Sequence, residues 1–230
     1  MVLRKEERER SRRALFFLRG YGALWATVPL GGRSTLGGAS EVMSWGEFSF
    51  HRGQRSIMLK DAVVRASYLD LSGRPDALKC FMEVCELLAF LPCTIQRDDL
   101  LRLLWSFYSG LVAGVLPVVA VARFLGRWLR QEGLMPDLLR CCRCGSQVTS
   151  RWGLGEEGVV CCGSNAAWEP EVMGELLRTL YLGHDDFVEW GIGHFRAPLT
   201  GDRLYVWKRI IRWMKGLLFE ANIILGREGV

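Results

Sequence analysis

At Pro75 the hydrophobic periodicity of this 230-residue chain changes, and that change limits its fold more than any other feature. Before it, short β-prone runs alternate with glycine-containing turns; after it, apolar residues recur every three or four positions. A chain patterned this way builds a strand-rich module followed by a helical one, a multidomain α+β architecture.

In the first stretch, "RALFFL" (13–18) and "ALWATVPL" (23–30) flank the turn "RGYG". The segments 41–50 and 55–64 flank "HRGQ", a four-residue hairpin loop, and a Gly/Ser-rich loop (31–40) joins the two hairpins. Alternation in the third run turns Val42, Ser44, Gly46, Phe48 and Phe50 to one side, and Met43, Trp45, Glu47 and Ser49 to the other. Four or five strands with glycine bends in so short a span predict a small barrel. Helices are expected over 76–93, ending near Pro92, over 98–111 and over 116–133, then over 169–183 and 202–225. Leu204, Trp207, Ile211, Met214 and Leu218 form the expected buried stripe of the last helix.

Between the helices lie "CCRCG" (141–145) and "GVVCCGS" (158–164). Cys141 and Cys144 form a C-x-x-C pair that can turn two thiolates onto one metal, with Gly145 letting the backbone curl beneath them. Cys161 follows at zinc-ribbon spacing. Ser164 stands where a fourth cysteine would complete the pattern, and Cys162 adjoins Cys161 instead. Consecutive residues of an extended strand point apart, so Cys162 serves the same ion only with local distortion. Two readings stand: structural Zn2+ held by Cys141, Cys144, Cys161 and Cys162, or a degenerate site that keeps its fold without metal. Eight cysteines in this pattern, three of them (Cys80, Cys85, Cys93) among apolar residues, suit a reducing compartment.

Charge is uneven. Residues 1–72 carry 12 Lys/Arg against 7 Asp/Glu, whereas residues 73–230 carry 18 of each, so the whole net charge of +5 lies in the first third. Such a local field favours a polyanion, although a solvated arginine-rich face has the same composition. The longest apolar run (110–126) is broken by Pro117 and Arg123 and falls short of the roughly 20 residues that span a bilayer. The first 20 residues mix acids with bases, unlike a secretory leader. The expected location is cytoplasmic, with no membrane partner. No catalytic constellation is visible. "GHDDF" (183–187) lacks a second histidine at metal-ligand spacing, and "GRSTLGG" lacks the lysine of a phosphate loop.

The order of parts resembles the RecO family of bacterial recombination mediators. The resemblance rests on Gly133, Pro136 and Leu138 before Cys141, Cys144 and Gly145, and on "ALFFLRGYGALWATVPLGGRS" (14–34). It implies an N-terminal OB-fold over 1–72, a helical domain over 73–140 plus 166–230, and a zinc-finger-like insertion over 141–165. It further implies a non-enzymatic protein of DNA repair, with single- and double-stranded DNA, RecR and the tail of single-stranded-DNA-binding protein as partners. The implied activities are strand annealing and recombinase loading. The family's cluster of bases after the glycine turn is here reduced to Arg33.

A single strand is held by cations that follow phosphates and by aromatic faces that stack bases. Arg12, Arg19, Arg33, Arg52, Arg55 and Lys60 are the candidates for the first role, Tyr21 and Trp45 for the second. Trp25 is expected to pack internally. A zinc-ribbon module that docks another protein without touching DNA is the alternative, and a metal-dependent hydrolase a weaker third.

Overall fold

The computed structural model describes the chain apart from residues 8–10, 31–35, 55, 91–96, 164–166 and 228–230, with the side chains of 90 and 222–227 also left out. Arg33, Arg55, Cys93 and Ser164 therefore lie outside or at positions not described. The described residues form two compact units, Met1–Tyr108 and Ser109–Val230.

The first unit is built on a five-stranded mixed sheet. Its strands are β1 (Val2–Glu7), β2 (Ser11–Leu18), β3 (Gly22–Pro29), β4 (Trp45–Arg52) and β5 (Ile57–Ala66), in the order β1-β2-β3-β5-β4. Only β3 and β5 run parallel, meeting at Thr27 and Met58. Val2 also exchanges backbone bonds with the segment entering β4, donating to Ser44 O (3.0 Å) and accepting from Met43 N (2.9 Å). β1 was not expected from the sequence, because "VLRKEE" carries charge at four of six positions; as an edge strand it tolerates them in solvent.

Period-two alternation places Ala14 and Phe16 of β2, Ala26 and Val28 of β3, and Leu59 of β5 in one apolar core with Val2. Phe48 and Phe50 of β4 pack against it, each 5.1 Å from the Phe16 ring and edge-on to it. Full burial of a ring such as Phe16 contributes about 1.5–3 kcal/mol, and the half-buried Phe48 and Phe50 less. A short helix, α1 (Leu36–Ala39), sits within the segment expected as a loop and places Leu36 on this core.

The unit continues past the change of periodicity into α2 (Pro75–Phe90) and α3 (Asp98–Ala113). Ser67 caps a 3-10 turn (Tyr68–Leu71) in a reciprocal box with Asp70. Asp70 also accepts from the Tyr108 hydroxyl, which holds its carboxyl below the usual range. Phe81 of α2 stacks on Phe107 of α3 at 5.4 Å and meets Tyr108 edge-on at 5.6 Å. Trp45 joins this cluster, 5.1 Å from Trp105 and 6.0 Å from Tyr108. Aromatic packing thus ties both helices to the sheet, so the compact unit extends beyond the barrel expected over 1–72.

The second unit contains α4 (Pro117–Gln131), α5 (Pro170–Tyr181), α6 (His184–His194) and α7 (Gly201–Arg227), with a cysteine hairpin between α4 and α5. Pro117 occupies the first turn of α4, where a missing N–H is harmless, and Gly133 follows its end at φ +71°. α4 packs against α7 and α5. The buried stripe of α7 is Val206, Trp207, Ile210, Met214 and Leu218. Leu204 and Ile211 of the expected stripe are only half-buried, a small rotation of the face. Within α4, Arg123 is buried and donates to the carbonyls of Thr179 (2.6 Å), Leu182 (2.8 Å) and Gly183 (3.0 Å), capping the C-terminal end of α5. Burial, then the charge of Arg127, push its guanidinium down to about 9, so it remains charged at neutral pH.

Candidate nucleic-acid interface and metal centre

The side of the sheet opposite the core carries the first candidate site. Register partners Arg13 (β2), Thr27 (β3), Met58 (β5) and His51 (β4) make one row across four strands. Each precedes or follows a core residue, so each faces away from the core. Met58 and His51 are exposed, Arg13 and Thr27 half-buried. Trp25, two residues before Thr27, lies on the same side, with the Arg13 guanidinium 4.6 Å above its ring. A cation held over a half-buried indole presents a charge beside an aromatic ring. Leu15 and Phe17 share this parity but are buried, which limits the open platform to the end of the hairpin away from its turn.

Of the four expected cations that are described, Arg12 is tied up and Arg19, Arg52 and Lys60 are exposed. Arg12 is a correction: it is buried, because its parity matches Ala14 and Phe16. Its guanidinium pairs with Glu7 (2.7 Å) and Glu41 (2.9 Å) and donates to Gly37 O (2.7 Å) and Ser40 Oγ (2.9 Å). Lys5 pairs with Glu41 (2.7 Å), Arg65 with Glu47 (3.2 Å), and Arg4 more loosely with Glu6 (3.8 Å). Arg19 is exposed and lies 3.8 Å from Asp98. Arg52, at the end of β4, and Lys60, at a bulge in β5, are exposed and form no ion pair with a described residue. Among the described residues of the first third, Arg13, Arg52 and Lys60 are the bases that form no ion pair with another described residue.

The aromatic candidates divide in the same way. Tyr21 is 76% exposed, in the β2–β3 turn between Gly20 (φ +76°) and Gly22 (φ +72°). At about 3.3 Å per residue it stands roughly 13 Å along the strand from Trp25. Trp45 is the second correction: it is 8% exposed and packed on Trp105, so no base can stack on it. Arg13 and Trp25 are a cation–aromatic pair that spacing along the sequence does not single out. Their shared odd parity opposite Ala14 and Ala26 places both on one side of the sheet.

The second candidate site is the cysteine hairpin. Cys141 N donates to Ser146 O (2.9 Å) and Gly145 N to Cys141 O (2.9 Å), closing a tight knuckle with Gly145 at φ +72°. Strands β6 (Gly153–Leu154) and β7 (Val159–Val160) pair antiparallel and bring the second cysteine pair back. Cys142 N donates to Val159 O (2.8 Å), which sets the two halves in register. Trp152 and Trp168 exchange backbone bonds (3.0 and 2.8 Å) with rings 4.9 Å apart, pinning the hairpin to the start of α5.

The Sγ atoms of Cys141, Cys144 and Cys161 all lie within 4.8 Å of one another. Cys144 and Cys161 are 3.7 Å apart, Cys141 and Cys162 3.8 Å. Zinc–sulfur bonds of about 2.3 Å in a tetrahedron imply sulfur–sulfur edges of about 3.8 Å, so Cys141, Cys144 and Cys161 are close enough together to share such an ion. Backbone N–H groups of Cys144 and then Cys161 hold Cys141 down to about 5, favouring a thiolate already aimed at the centre. Cys162 comes near Cys141, and around it β7 ends at Val160 and the chain bends into Gly163 at φ +78°. Extended geometry, with its opposed side chains, does not apply there.

Elsewhere, "GHDDF" opens α6, with Asp185 and Asp186 in its first turn, where carboxylates favour the helix dipole. His184 Nε2 lies 3.1 Å from Ser109 Oγ, but its Nδ1 is buried without a hydrogen-bond partner. The orienting carboxylate of a nucleophilic triad is missing among the described residues. No described helix is long and apolar enough to cross a membrane.

No family model matches the chain. Among curated proteins, it is similar to DNA repair protein RecO of Anaeromyxobacter sp. strain K, 30% identical over 172 residues that cover 71% of this chain and 68% of the relative. DNA repair protein RecO of Desulforamulus reducens is 26% identical over 153 residues, covering 63% of this chain and 59% of the relative. That of Caldicellulosiruptor saccharolyticus is 24% identical over 152 residues, covering 65% and 62%. The chain thus spans less than two thirds of the length of these last two relatives.

Proposed function

The chain belongs to the RecO family of DNA repair proteins, and on that premise we propose that it is a non-enzymatic mediator that holds single-stranded DNA on the outer face of its N-terminal sheet. In this reading the sheet is an OB-fold barrel, closed by the backbone bonds between Val2 and the segment entering β4. The observation that carries the reading is the open row Arg13–Thr27–Met58–His51 with Trp25 stacked beneath Arg13.

Arg13, Arg52 and Lys60 take phosphates, while Trp25 and Tyr21 stack bases. Neither contact reads sequence, which suits a protein that accepts any strand. A strand held by its backbone with its edges outward is ready to pair, and annealing of complementary strands follows. Recombinase loading on strands coated by single-stranded-DNA-binding protein, joint action with RecR and work at the nucleoid belong to the same reading. So does binding of double-stranded DNA through phosphates alone. Cys141, Cys144, Cys161 and Cys162 would hold a zinc ion. When bound, the ion cross-links the two ends of the hairpin and does no chemistry on a ligand.

Titration of a fluorescent single strand against salt tests the reading. Arg13→Ala with Lys60→Ala should lower the slope of log K against log[salt] by about 1.4, at about 0.7 per lost phosphate contact. The same variant should anneal complementary oligonucleotides more slowly. Wild-type protein that neither binds nor anneals DNA would leave the alternative, a hairpin-centred module that docks other proteins.

A further inference from the structure

We propose that the second unit carries its own phosphodiester-binding groove, between the cysteine hairpin and α7, where a nucleic-acid strand makes a further contact. It rests on the DNA-binding reading above but uses none of the same residues. The groove has a volume of about 870 Å3 and is walled by the hairpin on one side and α7 on the other.

Three guanidinium groups meet there. Arg209 and Arg212 project from α7, and Tyr205 precedes them by four and seven residues, so all three share one face of the helix. Arg143 comes from the opposite wall, between Cys142 and Cys144, where the knuckle fixes its backbone. None of the three forms an ion pair with a described residue. Arg209 lies 5.9 Å from the Tyr205 ring and 5.7 Å from the Trp168 ring, and Tyr205 is more than half exposed. Trp213 lines the same wall, and its buried Nε1 has no hydrogen-bond acceptor.

This chemistry favours a nucleic acid over an apolar-anchored acidic peptide. Planar cations alternate with aromatic faces, the pattern that grips a strand without a sequence code. Among the described lining residues Leu154 is the sole aliphatic side chain, so these residues offer no pocket for a large apolar anchor. Glu156 and Glu157, at the hairpin tip, also line it and oppose an anion at that end. They direct the strand along α7 and away from the tip.

The test uses the full chain and the same single-stranded oligonucleotide, titrated across salt. Arg209 and Arg212 are exposed surface positions, so their loss leaves folding intact. Arg209→Ala with Arg212→Ala should lower the salt slope by about 1.4. Glu156→Gln with Glu157→Gln should tighten binding. If both variants match wild type while Arg13→Ala with Lys60→Ala weakens binding, the groove is overturned and the sheet reading stands. If neither pair of arginine and lysine losses moves the slope of a protein that binds DNA, both fall. Loss of binding to an acidic peptide in the Arg209→Ala, Arg212→Ala variant, with DNA affinity untouched, would also overturn the groove and assign it to a protein partner.

Discussion

Cys141→Ser is expected to abolish stoichiometric zinc binding and to open residues 138–163 to proteolysis, whereas Cys142→Ser leaves both unchanged. The contrast follows from geometry. Cys141 is the buried member of the cluster, bonded through sulfur by Cys161 N at 3.4 Å and adjoining Cys162 at 3.8 Å. Cys142 is exposed and lies outside the group of converging thiols. Structural zinc sites contribute on the order of 10–16 kcal/mol of apparent binding energy in small fingers, where little else holds the fold. Here Leu138, Trp152, Val159, Val160 and Trp168 form a small apolar layer beneath the hairpin. That layer retains the helices around it, so the loss should be local and should not unfold the chain. Metal analysis of protein purified without chelator, with limited proteolysis of both variants, checks this. Zinc absent from wild type, with unchanged proteolysis in Cys141→Ser, would make the knuckle a metal-free fold.

The largest effect on global stability is expected at Arg123. Arg123→Met keeps the volume but leaves the carbonyls of Thr179, Leu182 and Gly183 without their donor. Arg123 also sits 4.1 Å over the Phe187 ring, which links α4 to α6. Leaving buried carbonyls unsatisfied costs about 1–3 kcal/mol, a sizeable share of the roughly 5–15 kcal/mol that holds a domain together. Arg123→Lys should fall between, because an ammonium lacks the planar fork that reaches several acceptors. Denaturant midpoints at constant m-value measure both. A change below about 1 kcal/mol in Arg123→Met would show that water satisfies those carbonyls and that the cap is dispensable.

Arg123 illustrates where the sequence was readable and where it was not. Along the chain it is a charge that interrupts an apolar run; its role depends on carbonyls more than 50 residues away. Period-two alternation did expose the sheet core, including Phe48 and Phe50 on one side of β4. The same rule applied to β2 puts Arg12 with Ala14 and Phe16, so its burial was legible in the pattern. Trp45 was not, because its partners Trp105 and Tyr108 come from a helix whose packing no local spacing specifies. β1 escaped notice because an edge strand carries charges that a central one does not. The metal cluster was largely legible from C-x-x-C and the spacing to Cys161. The approach of Cys162 to Cys141, at 3.8 Å, follows a bend after β7 that residue spacing does not specify.

The basic excess lies in the first third, where among the described residues Arg12, Lys5 and Arg65 are paired with Glu7, Glu41 and Glu47. What remains is a small cation–aromatic face, and the account depends on a strand lying there. Photo-crosslinking of a single-stranded oligonucleotide to the full chain, with the attached peptides identified by mass spectrometry, tests it most directly. The predicted crosslinks fall on Trp25 and Tyr21 and spare Trp45. Crosslinks at Trp45, or on neither of the first two while the strand is bound, would contradict it.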